Sequence, residues 1–366
     1  MCKTALKCII FVLFPQKPTN DFLKKCEVFL MEFLINIAEW CMPFLYFLRD
    51  IGNPVFDFLF ETVTHLGEET VFLLISIVFF WCINKREGYF ILLSGLLGTL
   101  VNQTLKIVCR VPRPWIINHE FQPVGNSIKE ATGYSFPSGH TQNIATTFGC
   151  IAAYNRKKRW VTILSVAIIV LVSFSRMYLG VHTPLDVVVS LLIALALVLL
   201  LRPWFETDEK FDKAYPIIVS VSVIFSTAFL MYVLFLDTAA LEINLKNYTQ
   251  AYESACTLLG CTVGLVIVWF VDTSYTRFET KAPWYAQLIK LAIGFGVVML
   301  IKAGLKDPLI NLFNNAYVAR IVRYFLVVVF AGAVWPISFK FFSKMKVAPL
   351  DKFGNRVKAL FTKKKA

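Results

Sequence analysis

The chain has 366 residues, of which 57% are hydrophobic and only 17% charged. Soluble domains carry about 25% charged residues, so this balance excludes an ordinary water-soluble globule and points to lipid as the solvent. A formal net charge of +13 could suggest nucleic acid as a partner, but the basic residues are placed as membrane topology signals, and no nucleic-acid partner is expected.

About 20 apolar residues cross a hydrocarbon core. Taken in chain order, the apolar runs predict ten spans, at 28–48, 69–83, 88–108, 139–154, 160–180, 184–201, 214–236, 254–271, 284–301 and 321–340. The fold class is therefore all-α, a polytopic helical membrane protein. Most Lys and Arg residues fall on one side of these spans: the N-terminal lysines, Lys85 and Arg86, the RKKR run at 156–159, Arg202, Lys210 and Lys213, Arg277 and Lys281, and the C-terminal tail. Cytoplasmic loops concentrate such residues, so both termini are expected in the cytoplasm, with possible contact to anionic lipid. Residues 1–14 lack a small-residue cleavage site, and no cleaved signal peptide is expected. The nine cysteines form no C-x-x-C pair and read as small buried hydrophobes; neither a disulfide framework, a metal nor a cofactor is implied. The sequon Asn247-Tyr248-Thr249 falls on the predicted outer side.

Three polar islands interrupt this pattern, all on the predicted extracytoplasmic face. Ionisable groups are costly at membrane depth, so each is a functional candidate. The first, LKIVCRVPRP (105–114), ends the third span and carries Lys106 and Arg113. The second, Pro137-Ser138-Gly139-His140, opens the fourth span: Ser138 is placed to cap the helix, Gly139 admits close backbone approach, and the helix N-terminus is an anion seat. The third, SRMYLGVHTPLD (175–186), carries Arg176, His182 and Asp186. Lys106, Arg113 and Arg176 together suit a phosphate group. Asp186, four residues after His182, can bond one imidazole nitrogen and leave the other free as a nucleophile. His140 can then protonate a leaving oxygen.

The islands resemble the signature of the type 2 phosphatidic acid phosphatase/haloperoxidase superfamily: Lys106…Arg113-Pro114, then Pro137-Ser138-Gly139-His140, then Ser175-Arg176…His182…Asp186, with every spacing met. The resemblance covers about residues 50–205. It implies that Lys106, Arg113, Arg176, Ser138 and the Gly139 amide hold phosphate. It further implies that His182 forms a phosphohistidine, that Asp186 orients it, that His140 serves as acid and base, and that no metal takes part. Domain organisation follows: an N-terminal segment with the first span (1–49), a six-helix phosphatase core (50–205), about four additional transmembrane helices (206–345) and a basic cytoplasmic tail (346–366).

Duller roles fit the other charged residues. Arg110 and Lys129 read as headgroup anchors, as do Lys302, Lys306, Arg320 and Arg323. His65 and His119 lie in loops with no partner pattern, and Lys290 falls inside a span with no nameable partner. The expectation is a multi-pass membrane phosphatase, acting on a lipid phosphate or diphosphate at the extracytoplasmic face. A phosphotransferase of the same superfamily is the alternative within enzymes. A lipid transporter or scramblase is the alternative outside them, although it would have no need of an oriented nucleophile.

Overall fold

The computed structural model describes residues 21–350 apart from 126, 240, 242 and 348. The first lysines of the chain and most of the basic tail lie outside the described residues. Within them every regular element is helical, as expected from the apolar runs. Eight helices are long and apolar enough to cross a membrane, or nine when one bent pair is counted as a single span.

Local chemistry sets the helix ends. Helices α1 (Asp21–Trp40) and α2 (Met42–Asp50) form one broken span, with Pro43 in the first turn of α2. Helix α3 (Pro54–Thr64) starts where the Asn53 side chain accepts from the amides of Val55 and Phe56, each at 3.0 Å. Helix α4 (Glu69–Val78) follows after a short turn at His65–Gly67, and the pair bends there by 54°. The run expected as a separate span at 69–83 is thus one arm of a bent pair.

Helix α5 (Lys85–Cys109) ends before Pro112, which disfavours helical backbone at Val111. Helix α6 (Gly139–Tyr154) has 16 residues, a rise of about 24 Å against a hydrocarbon core of about 30 Å. One of its ends therefore stops short of the bilayer edge. Helix α7 (Arg159–Tyr178) precedes α8 (Pro184–Leu201), whose start is a capping box between Thr183 and Asp186. Then come α9 (Asp208–Leu234), α10 (Leu245–Val271), α11 (Trp284–Gly304), α12 (Lys306–Phe313), α13 (Ala316–Val329) and α14 (Phe339–Lys344).

Packing divides the chain into two units. One comprises the described residues up to Leu73 together with Phe90–Leu259; the other comprises Leu74–Tyr89 together with the described residues from Gly260. In the first, α6 lies along both α7 and α8, and the 65–67 turn rests on α6. Its outward faces are apolar: Leu192, Leu195 and Leu199 of α8 are each more than half exposed, as suits lipid contact. A cluster of Ala38, Val108, Val111 and Phe136 closes the core next to the motif residues.

The second unit contains three π-helical turns, at Phe79–Ile83, Asp272–Thr276 and Phe330–Val334. Such turns free backbone carbonyls from the helical ladder. Lys290, for which the sequence names no partner, donates to the carbonyl of Trp81 at 2.7 Å and lies 4.2 Å above the Phe339 ring. Trp81 Nε1 donates to the carbonyl of Ala331 at 2.9 Å, tying two of the turns together. Asp272 accepts from Lys85 at 2.9 Å and from the Tyr89 hydroxyl at 3.2 Å. Arg323 departs from the expected headgroup role: it is buried, 5.3 Å from the Tyr324 ring.

Candidate active site

The site is built around residues 131–138, the last stretch of the long connection between α5 and α6. Its carbonyls hold two of the expected phosphate-binding cations. Lys106 Nζ donates to the carbonyls of Tyr134 (2.6 Å) and Ser135 (3.3 Å). Arg113 donates through Nε to Gly133 (3.0 Å), and through its two terminal nitrogens to Val181 (2.9 Å) and Thr132 (2.7 Å). Both side chains are buried. Their fit requires the loop to turn back on itself at Gly133, with φ +69°.

His182 lies in the short connection between α7 and α8, 2% exposed. Its Nδ1 stands 3.3 Å from Asp186 Oδ2, and its Nε2 stands 3.0 Å from a terminal nitrogen of Arg113. A guanidinium can only donate, so Nε2 must accept and the ring proton sits on Nδ1, facing the carboxylate. The capping box that starts α8 does the positioning: Asp186 Oδ2 also accepts from the Thr183 amide at 2.8 Å. A third donor, Ser135 Oγ at 2.6 Å, reaches the same oxygen from the loop. Burial, with Arg113, Lys106 and Arg176 close by, holds the His182 imidazole well below the ordinary histidine range and keeps it neutral.

Ser138 caps α6, its hydroxyl accepting from the Thr141 amide at 3.4 Å. Its own amide donates to the Asp186 carbonyl at 3.2 Å, which locks the start of α6 to the start of α8. Gly139 and His140 form the first turn of α6. His140 lies within electrostatic range of Arg176, Arg113 and Lys106, and of His182. Arg176, at the end of α7, is 1% exposed. The structure therefore gathers all eight residues singled out from the sequence into one neighbourhood. Among the described residues, Lys106 and Arg113 lie near Asp186 and Arg176 lies near Lys106, a cluster of cations that suits an anion. Among the described residues no group of three His, Cys, Asp or Glu side chains is placed to hold a metal ion.

Several contributors carry no sequence signal. Thr64, at the end of α3, accepts a hydrogen bond from Arg176 and is buried. Gly67 backs onto His140: a Cβ there would lie 2.9 Å from the His140 Cβ. Asn143 Nδ2 donates to the Gly67 carbonyl at 3.3 Å and fixes that turn against α6. Thr64 and Gly67 lie some forty residues before the first motif, and only tertiary packing brings them in. Ser135, two residues before Pro137, was findable only by its nearness in sequence. Arg110 corrects an expectation: it is buried at a left-handed C-terminal position (φ +49°), because α5 must end before Pro112. Lys129, by contrast, is exposed.

Comparison with known proteins gives two matching family descriptions. The PAP2 superfamily matches residues 87–210, and the transmembrane extension of PAP2 superfamily phosphatases matches residues 256–347. Phosphatidylglycerophosphatase B of Bacillus subtilis is 31% identical over 174 residues, covering 44% of this chain and 82% of that protein. Lipid phosphate phosphatase delta of Arabidopsis thaliana is 24% identical over 300 residues, covering 77% of this chain and 70% of that protein. Among solved structures, a transmembrane PAP2-type phosphatidylglycerolphosphate phosphatase from Bacillus subtilis aligns with a TM-score of 0.36 at 24% identity, over 56% of this chain and 95% of that one.

Proposed function

The chain belongs to the PAP2 superfamily, among its membrane lipid phosphatases, and from that premise we propose that it hydrolyses a lipid phosphate or diphosphate at the extracytoplasmic face, without metal, through a phosphohistidine at His182. The observation that carries this reading is the His182 imidazole, held between Asp186 Oδ2 at 3.3 Å and Arg113 at 3.0 Å. That arrangement presents a neutral Nε2 lone pair beside a cation able to grip phosphate.

Lys106, Arg113 and Arg176, with the Ser138 hydroxyl and the Gly139 amide, take the phosphate oxygens. Nε2 of His182 attacks phosphorus; the P–N bond forms as the bond to the lipid oxygen breaks, and His140, which takes up a proton once the seated phosphate offsets the neighbouring cations, gives that oxygen its proton. The Nδ1 proton stays on the ring, where Asp186 stabilises the positive charge the imidazole acquires. His140, now neutral, accepts a proton from water, whose oxygen displaces the histidine and releases phosphate. The three cations supply the charge stabilisation that metal ions supply elsewhere.

Two further lines support the setting. On the span order read from the sequence, the motifs fall opposite the lysine- and arginine-rich loops, which favours the extracytoplasmic face. A site at the ends of membrane helices meets a lipid at headgroup level, so the candidates are phosphatidate-type lipids, phosphatidylglycerophosphate, sphingoid phosphate and polyprenyl diphosphate. In this scheme residues 50–205 form the catalytic core and 206–345 an added helical region. The test is phosphate release from that panel by purified protein in detergent, with a chelator present. Release by the wild type and none by His182→Ala supports the reading; release that needs metal, or survives in the variant, contradicts it.

A further inference from the structure

The bend between α3 and α4 brings another histidine to the rim of the site. Thr64 and Gly67 form its inner side: Thr64 accepts from Arg176, and a Cβ on Gly67 would stand 2.9 Å from the His140 Cβ. Between them His65 reaches the surface, its side chain 52% exposed, and its Nδ1 donates to Oε1 of Glu68, itself 41% exposed. Sequence spacing names no partner for His65. The turn supplies one, because residues three apart in a 3₁₀ turn stand one above the other. His65 also lies within electrostatic range of His140, beyond which stand Arg176, Arg113 and Lys106. The other acidic groups nearby are Glu69, which opens α4, and two carboxylates of α3. Of these two, Asp57 accepts from the Tyr178 hydroxyl at 2.8 Å, and Glu61 lies against Gly125.

The proposed reaction makes a demand that the signature residues leave unmet. In the empty pocket three cations oppose a further positive charge on His140, and a seated phosphate offsets them. Each turnover therefore opens with a proton arriving at His140 and closes with its loss. The lipid that creates this demand also stands between the pocket and bulk water. Histidine is the side chain that exchanges a proton near neutral pH, so one histidine open to water can serve another that is shielded from it. Glu68 offsets the charge of a protonated His65 and keeps a proton on Nδ1, which leaves Nε2 as the nitrogen that exchanges. Two charged imidazoles in range of each other repel. A proton on His65 thus moves inward when phosphate makes His140 the better place for it.

We propose that His65, held by Glu68, is the proton-exchange station of this site, and that it supplies His140 with the proton which His140 gives to the leaving oxygen. The Nε2–H bond of charged His65 breaks as its proton passes, directly or through water, to the free nitrogen of His140. Neutral His65 then takes a proton from solvent at Nε2, and the order reverses when phosphate leaves. His65 acts through His140 and takes no part in the attack on phosphorus. The inference rests on the phosphatase reading above and adds to it a residue outside the three motifs. It also gives the bend between α3 and α4 a purpose beyond packing.

The test is His65→Gln, which keeps a polar side chain and removes the exchangeable charge. On a lipid monophosphate near neutral pH the variant should lose about tenfold in kcat/KM, short of the roughly 10²–10⁴-fold that loss of the acid itself would cost. Imidazole added at constant pH and ionic strength should restore most of that loss, with saturation, and leave the wild type unchanged. Vanadate affinity should be retained, since a relay sets how fast a proton arrives and not where it rests at equilibrium. Glu68→Gln should show a smaller loss with the same rescue. A measurement that needs no variant follows proton uptake in weak buffer with a pH indicator as vanadate binds to the wild type. Uptake supports the proposal; binding without uptake would overturn it. So would undiminished kcat/KM in His65→Gln, the result expected if the substrate carries in its own proton. A loss that imidazole leaves unrepaired, or one matched by a loss of vanadate affinity, would make His65 a packing residue and overturn it as well. If the wild type still releases phosphate and His182→Ala does not, such a failure removes this inference alone; no release by the wild type removes the phosphatase reading with it.

Discussion

The two packing units bury charge to different ends. In the second unit, Lys290 meets a carbonyl freed by a π turn and an aromatic face, and Asp272 meets Lys85 and Tyr89. Each of these charges is answered by a partner close at hand, as expected of groups that hold helices together. In the first unit, Lys106 and Arg113 lie beside the Asp186 carboxylate, which is itself engaged by Ser135, Thr183 and His182, and Arg176 lies near Lys106 and His182. Burying three cations against one anion is unfavourable unless a negative ligand completes the set. A surplus of one sign separates a site from a brace, and neither burial nor conformation alone would do so.

The comparison can be broken most sharply at the cations. Arg176→Ala or Lys106→Ala should lower kcat/KM by about 10²–10³-fold, the loss seen when one charge-stabilising donor is removed. Each should also weaken inhibition by vanadate, a mimic of pentacoordinate phosphorus. A change of less than threefold in both measurements would place these residues among the braces.

A smaller effect is expected at a residue that no sequence motif marks. Thr64→Val removes the hydrogen bond that Arg176 donates, and should cost about tenfold in vanadate affinity and in kcat/KM. Thr64→Ser should restore both. Loss of protein yield without a change in vanadate affinity per folded molecule would instead make Thr64 a packing residue.

The pH profile sharpens the same contrast. The His182 imidazole is held below the usual histidine range by burial and then by Arg113. In the proposed reaction the neutral form is the nucleophile, so its contribution is lost as pH drops through that lowered value. The acid limb of kcat/KM, which reports the free enzyme, should lie below about 6.5, the ordinary histidine value. Arg113→Gln removes a cation and should move that limb to higher pH on the same substrate. An unmoved limb would remove His182 from the rate-controlling titration.

The least effect on turnover belongs to the brace. Lys290→Met leaves the Trp81 carbonyl without its donor and should lower stability by about 1–3 kcal/mol, read as a lower thermal midpoint in detergent. Activity per folded molecule should be retained. A large loss of turnover at full stability would bring Lys290 into the chemistry.

How much of this was legible in the sequence varies from residue to residue. The helical class follows from apolar runs that no soluble fold tolerates, and the three islands stand out because charge at membrane depth is rare. Their convergence is foreshadowed by local signals: the Ser138 cap, and the Thr183–Asp186 capping box that turns the carboxylate towards His182. The bend between α3 and α4 was not legible, because His65-Leu66-Gly67 reads as an ordinary loop until Gly67 is seen against His140. Nor was the partner of Lys290, since a carbonyl freed by a π turn leaves no mark in composition. Thr64 is a polar residue of common type whose contact with Arg176 depends on long-range packing, and spacing cannot find such a residue.

A covalent bond between phosphorus and Nε2 of His182 is the central step of the proposed reaction. Acid quenching would destroy a phosphoramidate, so purified protein should be mixed with a labelled lipid phosphate, quenched in alkaline denaturant and mapped by mass spectrometry. Phosphate on the peptide containing His182, stable in base, lost in mild acid and absent from His182→Asn, is the predicted result. Steady phosphate release with no label on that histidine at any quench time, or with label on another side chain, would contradict it.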